Sequence, residues 1–144
     1  MQISDFLSPA NVLPDVRATD KDRLLRDLSK WAASACQLDA ALVSREIAKR
    51  EQLGSTGMGD GIAIPHARIE GLSKPFGLLA RLRKPIDFAS IDGKPVDIVF
   101  FLLLPAKAQG EQLTALASVA RKLRDSELIS GLRGATGGAD VFAR

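Results

Sequence analysis

Apolar residues near the start of the chain follow the spacing of amphipathic helices. Between residues 19 and 37 they recur every three or four positions, which predicts one apolar helix face. That face consists of Leu24, Leu25, Leu28, Trp31, Ala32 and Ala35. Thr19 is the expected N-cap. A second helix is expected from after Asp39 to about Leu53, where Gly54 can end it, and the two helices should form a hairpin.

The middle of the chain changes to strand-like patterns. Residues 55–61 are rich in glycine and predict a flexible loop, and residues 62–64 predict a short strand closed by Pro65. The segments 76–82 and 96–104 are predicted to be strands. The second should be buried on both faces, because its apolar run is almost unbroken.

A third helix is predicted from about Glu111 to Arg124 by a further stretch of helical spacing. Beyond Leu132 the chain is poor in helix formers, so we expect a frayed or shortened end. These elements predict an α/β protein, with a mixed β-sheet sandwiched between helices. No repeat or long linker interrupts the sequence, so residues 1–144 are expected to form a single domain.

Composition and charge exclude several classes of function. The 20 Lys and Arg residues are scattered among 17 Asp and Glu, leaving a net charge of +3, and there is no tyrosine, so nucleic-acid binding is not favoured. The longest apolar run, residues 98–104, is far shorter than the roughly 20 residues that span a membrane. The N-terminus lacks the pattern of an export signal. We therefore expect a cytoplasmic protein without membrane insertion.

The inventory of reactive side chains is small. Cys36 is the only cysteine and is expected to be a buried packing residue, so neither a disulfide nor a zinc site is indicated. His66 is the only histidine, which leaves no second imidazole for a metal site. The glycine spacing matches neither a P-loop nor a dinucleotide fingerprint, and no G-x-S-x-G elbow is present. No spacing favours a carboxylate pair such as Asp60 with Asp87.

His66 is the strongest candidate for a nucleophile. It follows Pro65 at the end of the short strand, behind glycines whose backbone can approach an anion closely. The usual histidine pKa of about 6.5 keeps the neutral form, with its free nitrogen lone pair, populated near neutral pH. Such a residue suits phosphoryl transfer, which depends mainly on positioning and charge stabilisation. The competing interpretation is a histidine that only packs or lies on the surface.

The neighbourhood of His66 supplies candidate phosphate ligands. Arg50, near the end of the second helix, could reach the loop as a forked donor to phosphate oxygens. Ser55 and Thr56 add hydroxyl donors, and Gly57 can turn its backbone N–H toward an anion. An ordinary i,i+4 helix pair with Glu46 explains Arg50 equally well.

Residues 51–67, EQLGSTGMGDGIAIPHA, resemble the active-site signature of the fructose/mannitol class of IIA components of the bacterial phosphotransferase system. The residues that match are Glu51, Met58, Gly59, Ile62, Ala63, Ile64, Pro65, His66 and Ala67. The resemblance extends over nearly the whole chain, including residues 91–105 and 113–123. It is strongest to the nitrogen-regulatory branch, whose members stand alone without a membrane permease.

This resemblance implies a function and roles for two residues. His66 corresponds to the histidine that is phosphorylated on Nε2, and Arg50 to the arginine that holds the phosphate. The implied donor is an HPr-type phosphocarrier protein, in this branch its nitrogen-related counterpart, and no metal or small cofactor is implied. The expected protein is a phosphoryl carrier and regulator. The alternative is a sugar-specific IIA component that passes the phosphoryl group to a IIB permease domain.

The sequence departs from the family at one position of the implied site. Members commonly carry a second histidine beside the active one, at the start of the third helix, and aligning residues 113–122 with that helix places Gln112 there. A glutamine amide can donate a hydrogen bond to phosphate but cannot carry positive charge. Gln112 is therefore expected to orient the phosphate, together with Ser55, Thr56 and Gly57.

Overall fold

The structure, a computed structural model, describes residues 5–107 and 109–134, in which one strand precedes two helices and five further strands precede the last two helices. The strands are β1 (Val12–Val16), β2 (Gly57–Gly59), β3 (Ile62–Ala63), β4 (His66–Ile69), β5 (Phe76–Ile86) and β6 (Val96–Pro105). The helices are α1 (Lys21–Cys36), α2 (Ala40–Gln52), α3 (Gln109–Lys122) and α4 (Ser126–Gly134), and a short 3-10 helix, Pro9–Asn11, precedes β1.

The first two helices form the predicted hairpin, but the predicted N-cap is wrong. Asp20, not Thr19, caps α1, because its Oδ1 accepts the backbone N–H of Arg23 at 2.7 Å. Asp20 lies in extended backbone, from which its carboxylate can reach the free N–H groups of the first turn. Asp39 caps α2 in the same way by accepting the N–H of Ala41.

The buried face of α1 is rotated relative to the prediction. Leu24, Leu25, Leu28 and Ala32 are buried as expected, but the buried face continues through Ser29 and Ala33. Trp31 and Ala35 therefore lie on its solvent edge, and Trp31 is 46% exposed. Cys36 was expected to be buried and is only half-buried, although burial still raises the pKa of its thiol.

The sheet is mixed, as predicted, and strand β6 lies at its centre. The strand order is β1-β5-β6-β3-β2, and β4 also pairs with β6. β5 runs antiparallel to β6, whereas β3 and β4 run parallel to it, one after the other along the same strand. β1, which lacks a clear alternating pattern in the sequence, forms the outer strand parallel to β5.

Side chains of β6 alternate between two hydrophobic cores. Val99, Phe101 and Leu103 pack under α1 and α2. Ile98, Phe100, Leu102 and Leu104 pack under α3 and α4. Burial on both faces of β6 is therefore confirmed, and the sheet is sandwiched between two helical layers as predicted.

The segment that leads to His66 differs from its prediction. Residues 57–59 are not a flexible loop but strand β2, which pairs antiparallel with β3. His66 does not follow the end of a strand but begins strand β4, paired with Leu102 of β6. The interruption lies at residues 64–65, because proline has no N–H with which to continue a ladder, although its carbonyl accepts the N–H of Leu102 at 2.9 Å.

The closing helix α4 extends further than its composition indicated. Its start is capped by Asp125, whose Oδ1 accepts the N–H groups of Glu127 and Leu128. Ile129 and Leu132 are buried against the second core. Packing therefore holds this helix through Gly134, and residues 135–144, for which fraying was predicted, lie outside the described residues.

Candidate functional site

The His66 imidazole is oriented by the backbone of its own segment. Its Nδ1 lies 2.8 Å from the carbonyl oxygen of Ile64, so Nδ1–H donates and the second nitrogen, Nε2, keeps its lone pair. The residue is half-buried at the start of β4. The backbone carbonyl of Ile64 thus favours the tautomer with its proton on Nδ1, which leaves the lone pair of Nε2 free to act as a nucleophile.

Arg50 lies directly against that nitrogen. Its Nε is 3.3 Å from Nε2 of His66, and its Nη1 donates to the carbonyl oxygen of Gly54 at 2.8 Å. The alternative interpretation, a helix pair with Glu46, is wrong: that carboxylate lies 3.3 Å from Lys49 Nζ and 3.7 Å from Arg45 Nε instead. The last turn of α2 thus places a permanent positive charge beside the imidazole.

The surroundings of His66 lower its pKa and so favour the neutral ring. Burial is the main cause that lowers its pKa below the usual value, and the Arg50 charge lowers it further. The Ile64 carbonyl and the Glu51 carboxylate act in the opposite direction without reversing the shift. A neutral ring retains the lone pair that a nucleophile needs.

The three loop residues predicted to bind phosphate line the same cleft as His66, which has a volume of about 1150 Å³. Their polar groups are already engaged. The Ser55 hydroxyl donates to the Phe88 carbonyl at 2.7 Å and accepts the N–H of Gly57 at 3.1 Å. The Thr56 hydroxyl donates to the Glu51 carboxylate. Their contact with phosphate stays a prediction, and it requires these bonds to rearrange.

A buried ion pair next to the loop was not found from the sequence. The Glu51 side chain is only 7% exposed, and its Oε2 lies 2.8 Å from Nζ of Lys21 at the start of α1. The same ammonium group lies 4.5 Å from the centroid of the Phe88 ring. Glu51 belongs to the signature and could have been suspected, but nothing in the sequence connects it with Lys21 or Phe88.

A second set of contacts holds the turn between β2 and β3. The backbone N–H of Asp60 donates to the Asp92 carboxylate. The carbonyl oxygen of Asp60 accepts a hydrogen bond from Nη2 of Arg133 at 2.6 Å. Arg133 also forms a two-pronged pair with Asp97. A side chain on Gly61 would overlap this guanidinium, since a Cβ there would lie 2.5 Å from Nη2. The turn that precedes His66 is thus fixed to α4.

Gln112 lies on α3, the helix that supplies Leu116 and Ala120 to the lining of the cleft that contains His66. The Gln112 side chain lies outside the described residues, so its contact with phosphate stays a prediction.

Other kinds of site find little support in the described residues. Within residues 5–107 and 109–134, no group of three or more His, Cys, Asp and Glu side chains could hold a metal ion. In the same part of the chain, no helix is long and apolar enough to cross a membrane. The Asp87 carboxylate accepts the N–H of Ala89 in its own loop, which gives no support for a catalytic carboxylate pair with Asp60.

Comparisons with known proteins identify the family of the chain and agree with its fold. The family described as "Phosphoenolpyruvate-dependent sugar phosphotransferase system, EIIA 2" matches residues 5–144. A nitrogen regulatory protein of Bradyrhizobium diazoefficiens is 41% identical over 99% of this chain and 94% of its own length. The crystal structure of nitrogen regulatory protein IIA-Ntr from Neisseria meningitidis has a TM-score of 0.92 at 34% identity, covering 98% of this chain and 97% of that one. The mannitol IIA structure from Escherichia coli shares the fold, with a TM-score of 0.80 at 19% identity over 95% of this chain and 96% of that one.

Proposed function

This chain belongs to the EIIA 2 family of the phosphoenolpyruvate-dependent sugar phosphotransferase system, and we propose that it is a nitrogen-regulatory IIA protein that accepts a phosphoryl group on Nε2 of His66. The observation that carries the proposal is the pair of contacts on the imidazole. Nδ1–H is bound by the Ile64 carbonyl, and Nε2 faces the Arg50 guanidinium.

The transfer step needs no proton movement at the attacking atom. A bond forms between Nε2 of His66 and the phosphorus atom as the bond from phosphorus to the donor's histidine nitrogen breaks, and the donor imidazole leaves with that electron pair. The His66 ring gains positive charge, which the Ile64 carbonyl stabilises through Nδ1–H. The phosphoryl oxygens carry negative charge throughout.

Arg50 has two positions in this scheme. Before transfer, its Nε–H occupies the lone pair that will form the new bond, over a fairly long contact of 3.3 Å. The incoming phosphoryl group displaces that contact, and the guanidinium turns its donors to the phosphoryl oxygens. The bond from Nη1 to the Gly54 carbonyl keeps the side chain at the site during this change.

The proposed donor is a cytoplasmic HPr-type phosphocarrier protein, and the proposed role is regulation of partner proteins through the phosphorylation state of His66. The nearly full-length similarity to nitrogen regulatory proteins supports this role. A fructose-specific EIIA component of Haloferax volcanii is also similar, but over only 72% of the chain. Transfer onward to a sugar IIB domain is therefore kept as the alternative outcome of the test.

The test is phosphorylation with purified components. The protein is incubated with phosphoenolpyruvate and the carrier proteins, and the modified residue is identified by mass spectrometry under conditions that preserve phosphohistidine. Phosphate on His66, and none in His66→Ala, is the expected result. Asp15→Asn, which changes an exposed ion pair with Arg83, serves as the matched control and should be phosphorylated normally. Undiminished incorporation in His66→Ala would contradict the proposal. Transfer from phospho-His66 to a sugar IIB domain would favour the alternative.

A further inference from the structure

Glu51 is a buried carboxylate that the transfer step does not use. It does not contact His66 directly, and its charge is balanced by Lys21, 2.8 Å away. Its two oxygens also accept the backbone N–H of Thr56 at 3.1 Å and the Thr56 hydroxyl. Since Thr56 is itself only 7% exposed, these bonds fix one loop residue from both its backbone and its side chain.

Two further hydrogen bonds connect Thr56 to the imidazole of His66. The Thr56 carbonyl accepts the N–H of Ile64 at 3.1 Å. The Ile64 carbonyl then accepts Nδ1–H of His66 at 2.8 Å. A continuous path of backbone groups therefore runs from Glu51 through Thr56 and Ile64 to the nitrogen opposite the nucleophile.

Arg50 and Glu51 act on the two ends of the same short segment. Arg50 donates to the carbonyl of Gly54, and Glu51 accepts the N–H of Thr56, so adjacent residues of α2 hold residues 54–56 by opposite charges. The Arg50 side chain faces Nε2 of His66, whereas the Glu51 side chain is connected through Thr56 to Ile64, whose carbonyl meets Nδ1.

We propose that Glu51 is a positioning residue that, by fixing Thr56 and through it Ile64, selects the His66 tautomer with its proton on Nδ1. The proposal rests on phosphoryl transfer to His66 as the function of the site. A neutral imidazole can carry its proton on either nitrogen. If the Ile64 carbonyl shifts, the form with the proton on Nε2 competes, and that form has no lone pair at the nucleophilic atom.

The decisive variant is Glu51→Gln, which keeps the side-chain length. The amide has one acceptor oxygen where the carboxylate has two, and its NH₂ group cannot accept from Thr56 or Lys21. Thr56→Val is the second variant, since it replaces the hydroxyl with a methyl group, and Thr56→Ser should keep the wild-type His66 tautomer because it keeps that donor. Asp15→Asn is the control for loss of a carboxylate elsewhere.

The main measurement is the ¹⁵N chemical shift of both His66 ring nitrogens in the unphosphorylated protein, at a pH where the ring is neutral. We expect Glu51→Gln, and to a lesser extent Thr56→Val, to raise the fraction of the tautomer protonated on Nε2. Thr56→Ser and Asp15→Asn should leave the shifts unchanged. Phosphoryl transfer from the carrier to Glu51→Gln should be about tenfold slower, as expected for one lost positioning interaction.

Unchanged nitrogen shifts in a folded Glu51→Gln protein overturn the proposal, even if transfer is slower, because Glu51 would then act only on loop stability. If Glu51→Gln does not fold, Thr56→Val decides, and unchanged shifts in that variant overturn the proposal equally. The tautomer measurement uses no phosphoryl donor. A wild-type protein that accepts no phosphoryl group would therefore contradict the proposed function while leaving the tautomer result readable.

Discussion

The guanidinium of Arg50 and the imidazole of His66 meet with 3.3 Å between Nε and Nε2, across 16 positions of sequence. An N–H group can donate to Nε2 only when that nitrogen carries no proton, so the contact and the Ile64 carbonyl require the same tautomer. The proposed nucleophilic atom and the charge that would stabilise its phosphorylated form are therefore already adjacent in the free protein.

Arg50 variants should separate the contribution of charge from that of geometry. Arg50→Lys keeps the charge but loses the forked donor, so transfer to His66 should be slowed. Arg50→Ala should be slowed further, by something on the order of 10²-fold, as when other charge-stabilising donors are removed. Single-turnover transfer from the phosphorylated carrier measures the rates. Equal rates in all three proteins would remove Arg50 from the site.

The pH dependence follows from the lowered pKa of His66. Burial is the main cause of the shift, with the Arg50 charge second among the lowering causes, so the neutral ring should persist below the usual titration range of histidine. Transfer should remain constant as pH falls through about 6.5 and decline only near the lower pKa. NMR titration of the ring gives the midpoint, and Arg50→Gln should raise it.

The lowered pKa of His66 also predicts how the free energy of unfolding depends on pH. Between the two pKa values the unfolded chain binds more protons at His66 than the folded protein does, so unfolding is favoured as pH falls through that window. His66→Ala should therefore lose less stability than the wild type over this range, as measured by urea unfolding at several pH values. A parallel decline in both proteins would contradict a lowered pKa.

Variants of Gln112 test the position at which family members commonly carry a second histidine. If its amide donates one hydrogen bond to the phosphate, Gln112→Ala should cost about 0.5–1.5 kcal/mol in phosphorylated-state stability, and the site should stay active. Gln112→His should lower the pKa of His66 through like-charge repulsion. The checks are the hydrolysis rate of phospho-His66 and the His66 titration. Loss of all phosphorylation in Gln112→Ala would show that Gln112 is required for the transfer. An unchanged His66 titration in Gln112→His would show that residue 112 does not lie beside His66.

Gly57 should tolerate no side chain. A Cβ at this position would lie 2.2 Å from Oγ of Ser90, a buried residue, so Gly57→Ala should destabilise the protein by about 1–3 kcal/mol through overpacking. The matched control is Gly110→Ala on α3, where a Cβ meets open space and the helix should gain up to about 1 kcal/mol. Denaturant unfolding measures both. Equal stabilities for the two variants would contradict the close packing of β2 against residue 90.

Much of the fold could be predicted because the spacing of apolar residues along each element reflects which of its faces are buried. The unbroken apolar run of β6 predicted a strand covered on both faces, and its alternate side chains do enter two cores. Helical spacing predicted α1 and α2, although it placed Trp31 on the wrong side of the buried boundary. β1 was missed because its pairing with β5 is a long-range contact that its own residues do not encode. β2 was missed because glycine gives no strand pattern.

For the site, the sequence by itself determined the candidate chemistry: a single histidine, an arginine near the end of a helix, and a signature that joins them. Only the tertiary structure decided how those groups meet. It placed His66 at the start of β4, aimed Nε2 at Arg50 and connected Nδ1 through Ile64 and Thr56 to Glu51. Periodicity reflects the environment of each residue along its own element. Hydrogen bonds between elements depend on how α2 and the strands pack, which no local pattern specifies.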